Sequence, residues 1–322
     1  MCAMAIFAIG DVHGCADELD ELLEMLPLKD SSTVVMLGDY IDRGPYSRRV
    51  LETLIEWKTK QDIVTLCGNH EEMFREFLDG SDPQRVARFI LNRGSSTLAD
   101  FADEHGEWVI PRAHVEFLEN LKLWHETDDH FFVHAGVPDI ALKEIDSVRD
   151  REELLWIRRT FINNSRKWEK RIVHGHTVVN AVEVSASRIN VDTGCVFGGY
   201  LTAIELPSHR LYSVPRKTGL RPAFLRDKAS RRAAVRFLGA VPVTINHPGL
   251  GDLQFETLNY SEIGMLLRSL AEPDRATQIL DKGDTVNGTV GDGWQVPFTA
   301  RVVHSRKQPD GWQYGLAVDL KG

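Results

Sequence analysis

The chain has 322 residues, 43% hydrophobic and 26% charged, more than one ordinary core holds, so two domains of a globular protein are expected. No apolar run reaches the roughly 18 residues that cross a bilayer, and Met1–Ala8 lacks the basic start and cleavage site of a signal peptide, so membrane and secreted classes are set aside and a cytoplasmic protein is expected. The net charge of −9 is uneven: residues 1–220 hold 36 acidic against 25 basic side chains and residues 221–322 hold 11 against 13, while the four cysteines form no CxxC pair and exclude a disulfide framework.

In chain order, Ala5–Ile9 reads as a buried strand ending at Gly10. Asp17–Leu26 carries leucines at helical spacing and is stopped by Pro27. Thr33–Leu37 and Ile63–Leu66 are further buried strands, with a helix over Ser47–Lys58 between them and another opening at Glu71–Leu78. This alternation predicts an α/β layered architecture. Phe131–His134 and Arg171–His174 read as later strands, and Val182 to Leu206 as hairpins with turns at Gly194 and Gly198-Gly199. Beyond Pro215, residues 216–228 are charged and lack periodicity, which marks a linker. Short strands then follow at Val241–Ile245, Gly264–Leu267, Thr285–Val290, Phe298–His304 and Tyr314–Val318, and their turn-rich spacing predicts a small antiparallel barrel.

Polar residues cluster where the first strands end: Gly10-Asp11-Val12-His13-Gly14, Gly38-Asp39-Tyr40-Ile41-Asp42-Arg43-Gly44 and Gly68-Asn69-His70-Glu71, then His134-Ala135-Gly136 and His174-Gly175-His176. Strand C-termini are where α/β sheets place their sites, and i, i+2 residues such as Asp11 and His13 share a face of extended chain. Carboxylate, carboxamide and imidazole without thiolate suit Mn, Fe or Zn. A pair of such ions about 3.5–4 Å apart acidifies water and neutralises phosphate oxygens. One of these clusters alone is explained by a helix cap or a structural histidine; all five in this order are not.

These motifs resemble those of the calcineurin-like metallophosphoesterases, within them the phosphoprotein phosphatase branch, which includes bacterial serine/threonine phosphatases and diadenosine tetraphosphate hydrolases. The resemblance spans about residues 4–214 and implies a β-sandwich flanked by helices. It implies that Asp11 and His13 hold a first metal ion, that Asp39 bridges, and that Asn69, His134 and His176 complete a second site, with His174 left a structural role. It further implies that His70 protonates the leaving oxygen, oriented and kept protonated by Asp42, and that Arg43 clamps the phosphate. A second clamp is expected after Leu154-Leu155-Trp156, where Arg158 is favoured over Arg159.

Past the linker, Arg232-Ala233-Ala234-Val235-Arg236 and Asn259-Tyr260-Ser261-Glu262-Ile263-Gly264 stand ahead of and within the predicted barrel. Paired arginines suit phosphates and stack on bases, and Asn, Ser and Gly suit a ligand edge and close backbone approach. Together they resemble the PilZ domain over about residues 229–322, which implies that Arg232, Arg236, Asn259, Ser261 and Gly264 bind cyclic di-GMP. The combined expectation is a catalytic domain over 1–215, a linker over 216–228 and a PilZ-like domain over 229–322. Two divalent ions, manganese foremost, serve catalysis and cyclic di-GMP regulates it. The expected substrate is a phosphorylated serine or threonine protein, with a dinucleoside polyphosphate as the alternative enzyme substrate and a catalytically silent cyclic di-GMP-binding scaffold as the non-enzyme reading. Neither a membrane nor a nucleic acid is an expected partner of this acidic chain.

Overall fold

A computed structural model describes residues 5–105, 107–217, 237–238, 240–261, 263–270, 279–291, 295–308 and 311–320. Backbone contacts divide the chain into two units, Met1–Arg75 with Ser96–Leu220, and Glu76–Ser95 with Arg221–Gly322. Among the described residues no helix is long and apolar enough to cross a membrane.

The first unit is a sandwich of two five-stranded sheets. In chain order its strands are β1 (Ile6–Ile9), β2 (Thr33–Met36), β3 (Asp62–Thr65), β4 (Trp124–Glu126), β5 (His130–Val133), β6 (Arg171–His174), β7 (Glu183–Val184), β8 (Arg188–Asn190), β9 (Tyr200–Leu206) and β10 (Arg210–Pro215). One sheet runs β10-β9-β1-β2-β3 and the other β4-β5-β6-β8-β7. The strands β1, β2 and β3 are mutually parallel, as are β5, β6 and β8. Strands β2 and β5 are buried at all four positions, as expected for short strands covered on both faces. Ala8, Val35, Leu37, Leu66, Phe132, Val173, Ile189, Val191, Ile204 and Leu206, drawn from both sheets, form one buried cluster.

Helices α1 (Ala16–Met25) and α2 (Ser47–Trp57) start just after the strand-end motifs, where the sequence places them, whereas α3 (Asn69–Asp79) starts inside its motif, two residues before the expected Glu71. The reading of 182–206 as hairpins is half met. Strands β7 and β8 pair antiparallel, but β9 pairs with β1 and β10 in the opposite sheet. The glycines at 194 and 198 therefore turn the chain from one sheet to the other. The start of the expected linker is fixed to α1: Arg216 Nη1 lies 2.9 Å from both oxygens of the buried Glu18, and Lys217 N donates to Glu18 Oε1 at 2.8 Å. Residues 218–236 lie outside the described set.

The C-terminal part is a closed antiparallel barrel. Its strands are β11 (Phe237–Leu238), β12 (Pro242–His247), β13 (Gly251–Ser261), β14 (Gly264–Ser269), β15 (Thr285–Val290), β16 (Val296–Gln308) and β17 (Gly311–Leu320). The order β13-β12-β15-β16-β17-β14 closes through pairing of β13 with β14, and β11 adds to β13. Val243 and Ile245, Val286 and Val290, and Phe298, Ala300 and Val302 are buried at period two, the alternation that a one-faced sheet requires. Phe255 meets Tyr314 edge-on at 5.8 Å in the interior. Strand β13 was not anticipated from the sequence. Its pairing with β14 slips between Thr257 and Asn259, and this bulge changes the parity of burial from Phe255 and Thr257 to Tyr260.

Candidate metal centre

The polar groups of the site gather just past the C-terminal ends of the short parallel strands. Asp11 follows β1, Asp39 follows β2, Asn69 follows β3, His134 follows β5 and His176 follows β6. All five, with His13, His70 and Asp42, are buried.

Asp39 lies at the middle of this group. Its Oδ2 is 3.3 Å from His13 Nε2 and 4.0 Å from His70 Nε2, while its Oδ1 is 3.4 Å from His134 Nε2. One carboxylate thus turns one oxygen to each half of the cluster. His134 Nδ1 donates to Leu37 O at 2.8 Å and His13 Nδ1 to Ile41 O at 2.9 Å, so both rings present their Nε2 lone pairs inward. His134 Nε2 meets Asn69 Oδ1 at 2.9 Å and His176 Nδ1 at 3.2 Å. Lone pairs of two imidazoles, a carboxamide and a carboxylate facing one another repel unless a cation lies among them. Among the described residues the Nε2 of His70 is buried without a hydrogen-bond partner. The donor set therefore fits divalent metal ions: Asp39, His134 and His176 bring ligand atoms within 4.8 Å of one another, and so do His13, Asp39 and His70. Asp11 joins from β1, its two oxygens each 3.2 Å from His176 N.

Electrostatics record the crowding. Burial, then Asp192 and Asp39, pushes the Asp11 carboxyl well above the usual range. Burial, then Arg43, pushes His13 down to about 3. Backbone strain sits here too. Seven non-glycine residues of the described set have positive φ, and His13, Asp39, Asp42, Arg43 and His176 are five of them. Each such residue costs of order 1–3 kcal/mol and persists only where its surroundings force it. Gly68 is forced by space, since a Cβ there would overlap Asp39 Oδ1.

His70 Nδ1 lies 2.6 Å from Asp42 Oδ2, as the motif resemblance implies. Asp42 is held by Thr97, whose Oγ1 donates to its Oδ1 at 2.5 Å, and by Ser47, whose Oγ accepts from its N at 3.0 Å. The expected protonation of His70 is not what the surroundings favour. Burial, then Arg43 and the other histidines, drives His70 well below its ordinary value, and burial raises Asp42. Desolvation outweighs the single carboxylate partner.

Arg43 Nη1 is 2.6 Å from His13 Nε2, so its guanidinium reaches the centre. Arg158 Nη1 donates to His176 O at 2.8 Å, whereas Arg159 opens the short helix Arg159–Ile162, which separates the two arginines left open by sequence. His174 packs edge-on against Phe161 at 5.0 Å, in keeping with a structural role.

Two buried acids were missed. Glu71 accepts from Asp39 N and Gly68 N through Oε2 (2.8 and 3.0 Å) and from Tyr40 N and Ile41 N through Oε1 (2.7 and 3.3 Å). It thereby ties the Asp39 turn to the Asn69 turn, and burial followed by Asp39 raises it to about 8. Asp192 adjoins Asp11 and accepts from Gly194 N at 3.0 Å, and burial raises it to about 6. Its signal was the run Val191-Asp192-Thr193-Gly194 directly past strand β8, the same place relative to a parallel strand as the other motifs.

In the barrel, Asn259 stands beside the bulge and pairs with Leu266 across β14 and with Leu238 of β11. Ser261 is buried and its hydroxyl donates to Gly264 O at 3.2 Å across the β13–β14 turn. Arg232 and Arg236 lie outside the described residues.

Comparison with known proteins agrees with this geometry. The family model of calcineurin-like phosphoesterases matches residues 4–200 and that of the PilZ domain matches residues 230–321. The chain is 29% identical over 237 residues to an asymmetrical bis(5'-nucleosyl)-tetraphosphatase of Halalkalibacterium halodurans, covering 66% of this chain and 94% of that one. It is 30% identical over 234 residues to the protein of the same name in Anoxybacillus flavithermus, covering 64% of this chain and 92% of that one. A crystal structure described as a candidate diadenosine tetraphosphatase superposes with a TM-score of 0.50 at 21% identity, over 68% of this chain and 96% of that one, and shares the fold. The chain belongs to the calcineurin-like phosphoesterases, metal-dependent hydrolases of phosphate esters, and carries a C-terminal PilZ domain.

Proposed function

We propose that this protein hydrolyses dinucleoside polyphosphates at its buried centre, under control of cyclic di-GMP bound by its PilZ domain. The observation that carries the catalytic half is Asp39, which turns one oxygen toward His13 and the other toward His134. In this reading Asp11, His13 and Asp39 hold one divalent ion, and Asp39, Asn69, His134 and His176 hold the other, with manganese foremost. When bound, the ions supply charge neutralisation and acidify water. The chain supplies the rest. Arg43 and Arg158 bind phosphate oxygens through fork-shaped donors. His70, whose Nδ1 accepts from a protonated Asp42, presents Nε2–H as the group that hands a proton to the departing oxygen.

The sequence motifs serve phosphoprotein and dinucleotide substrates alike, and a phosphoprotein was the first expectation. The shared name of the relatives above supports the dinucleotide instead. Regulation rests on the PilZ match together with the Arg232/Arg236 and Asn259/Ser261/Gly264 pattern. The proposed boundaries are 1–215 for catalysis, 216–228 for the linker and 229–322 for the ligand-binding domain. Three buried free cysteines, Cys15, Cys67 and Cys195, support a reducing, cytoplasmic setting.

The test is the rate of the manganese-loaded protein on diadenosine tetraphosphate and on a phosphoserine peptide, each with and without cyclic di-GMP. Preference for the dinucleotide and a rate that changes with the ligand are the expected results. Preference for the peptide removes the substrate reading, and a rate indifferent to a ligand that binds removes the regulation.

A further inference from the structure

The short 3-10 turn Cys195–Phe197, which carries the chain between the two sheets, holds Phe197 at 52% exposure. A single exposed phenylalanine is ordinary. This one differs in how it is held and what it touches. The turn is bracketed by Gly194 and Gly198 with φ of 67° and 99°, conformations that favour glycine. It is pinned by Phe197 N and Gly199 N on Gly194 O (both 3.0 Å), Gly198 N on Cys195 O (3.0 Å), Tyr200 N on Thr193 O (3.2 Å) and Arg216 N on Gly199 O (2.9 Å). The ring is therefore displayed on a fixed scaffold.

The Arg43 guanidinium carbon lies 5.3 Å from the centroid of the Phe197 ring, while its Nη1 reaches His13. The same arginine touches the metal-ligand cluster at one end and the aromatic ring at the other. Val178, 47% exposed, flanks the turn at Gly194: a Cβ added to Gly194 would lie 2.7 Å from Val178 Cγ1 and 3.9 Å from Phe197 Cδ2. A phosphate on Arg43 thus has a rigid aromatic surface with an apolar neighbour beside it. That combination of cation and exposed aromatic face suits a nucleotide, whose base stacks while its phosphate is clamped.

We propose that Phe197 is a specificity-determining residue on which a nucleobase of the substrate stacks, beside the phosphate held by Arg43. This rests on the dinucleotide reading above and names the surface that distinguishes a nucleotide from other phosphates.

The experiment compares kcat/KM of the manganese-loaded full chain on diadenosine tetraphosphate and on inorganic tripolyphosphate, which has the anhydride but no base. Phe197→Ala is expected to lower the ratio of the two about tenfold, mainly through KM on the dinucleotide, and to weaken calorimetric binding of adenosine monophosphate. Phe197→Trp, which keeps a flat ring, is expected to hold the ratio near wild type. A ratio within twofold of wild type in Phe197→Ala, whether both rates fall or neither, overturns the proposal while the substrate reading stands. A wild-type protein that cleaves tripolyphosphate but not the dinucleotide overturns both.

Discussion

The sandwich and the barrel put polar residues to use in opposite ways. In the sandwich, acids, imidazoles and a carboxamide are buried together past the strand ends, in strained backbone, and their pKa values are displaced. In the barrel, the described polar side chains mostly alternate outward, and the buried hydroxyl of Ser261 is satisfied by its own turn. The first arrangement spends stability to gather charge for chemistry. The second is a regular scaffold whose described buried polar groups are few. Catalysis at a buried centre therefore depends on residues behind the ligands.

That contrast can be broken or sharpened by substitution. The largest effect on stability is expected at Glu18, buried and paired with Arg216. Glu18→Ala leaves the guanidinium without its partner and is expected to cost about 3 kcal/mol in denaturant unfolding of the first unit. Glu71→Ala comes next: it removes the side chain on which four backbone N–H groups converge, so a loss of about 2 kcal/mol is expected. Because Glu71 ties the Asp39 and Asn69 turns together, kcat/KM is expected to fall about tenfold or more as well. An unchanged rate would show that those turns hold without it. Ser261→Ala, the barrel counterpart, is expected to cost only about 1 kcal/mol by thermal unfolding.

Much of the sandwich site was legible because metal chemistry writes itself into short motifs. Asp11, Asp39, Asn69, His134 and His176 each follow a short parallel strand, and the structure brings them together. Glu71 was harder to see because it follows His70 inside a helix start and acts only on backbone N–H groups. Asp192 lacked a histidine beside it. Thr97 stands 55 residues from the Asp42 it supports, a distance that no local pattern spans. Which of His70 and Asp42 carries the proton between them was not legible, since the burial that lowers one and raises the other is a tertiary property. In the barrel, β13 was passed over because the bulge between Thr257 and Asn259 breaks its alternation.

The most direct test of the account is Asp39→Asn, assayed with diadenosine tetraphosphate in manganese alongside manganese binding by calorimetry. The account predicts a fall in kcat/KM of more than about a hundredfold, since even residues behind metal ligands are worth about 10–100-fold, together with weakened binding of the metal. A variant that keeps wild-type turnover and binds manganese as tightly would contradict the assignment of this carboxylate as the group shared by both ions.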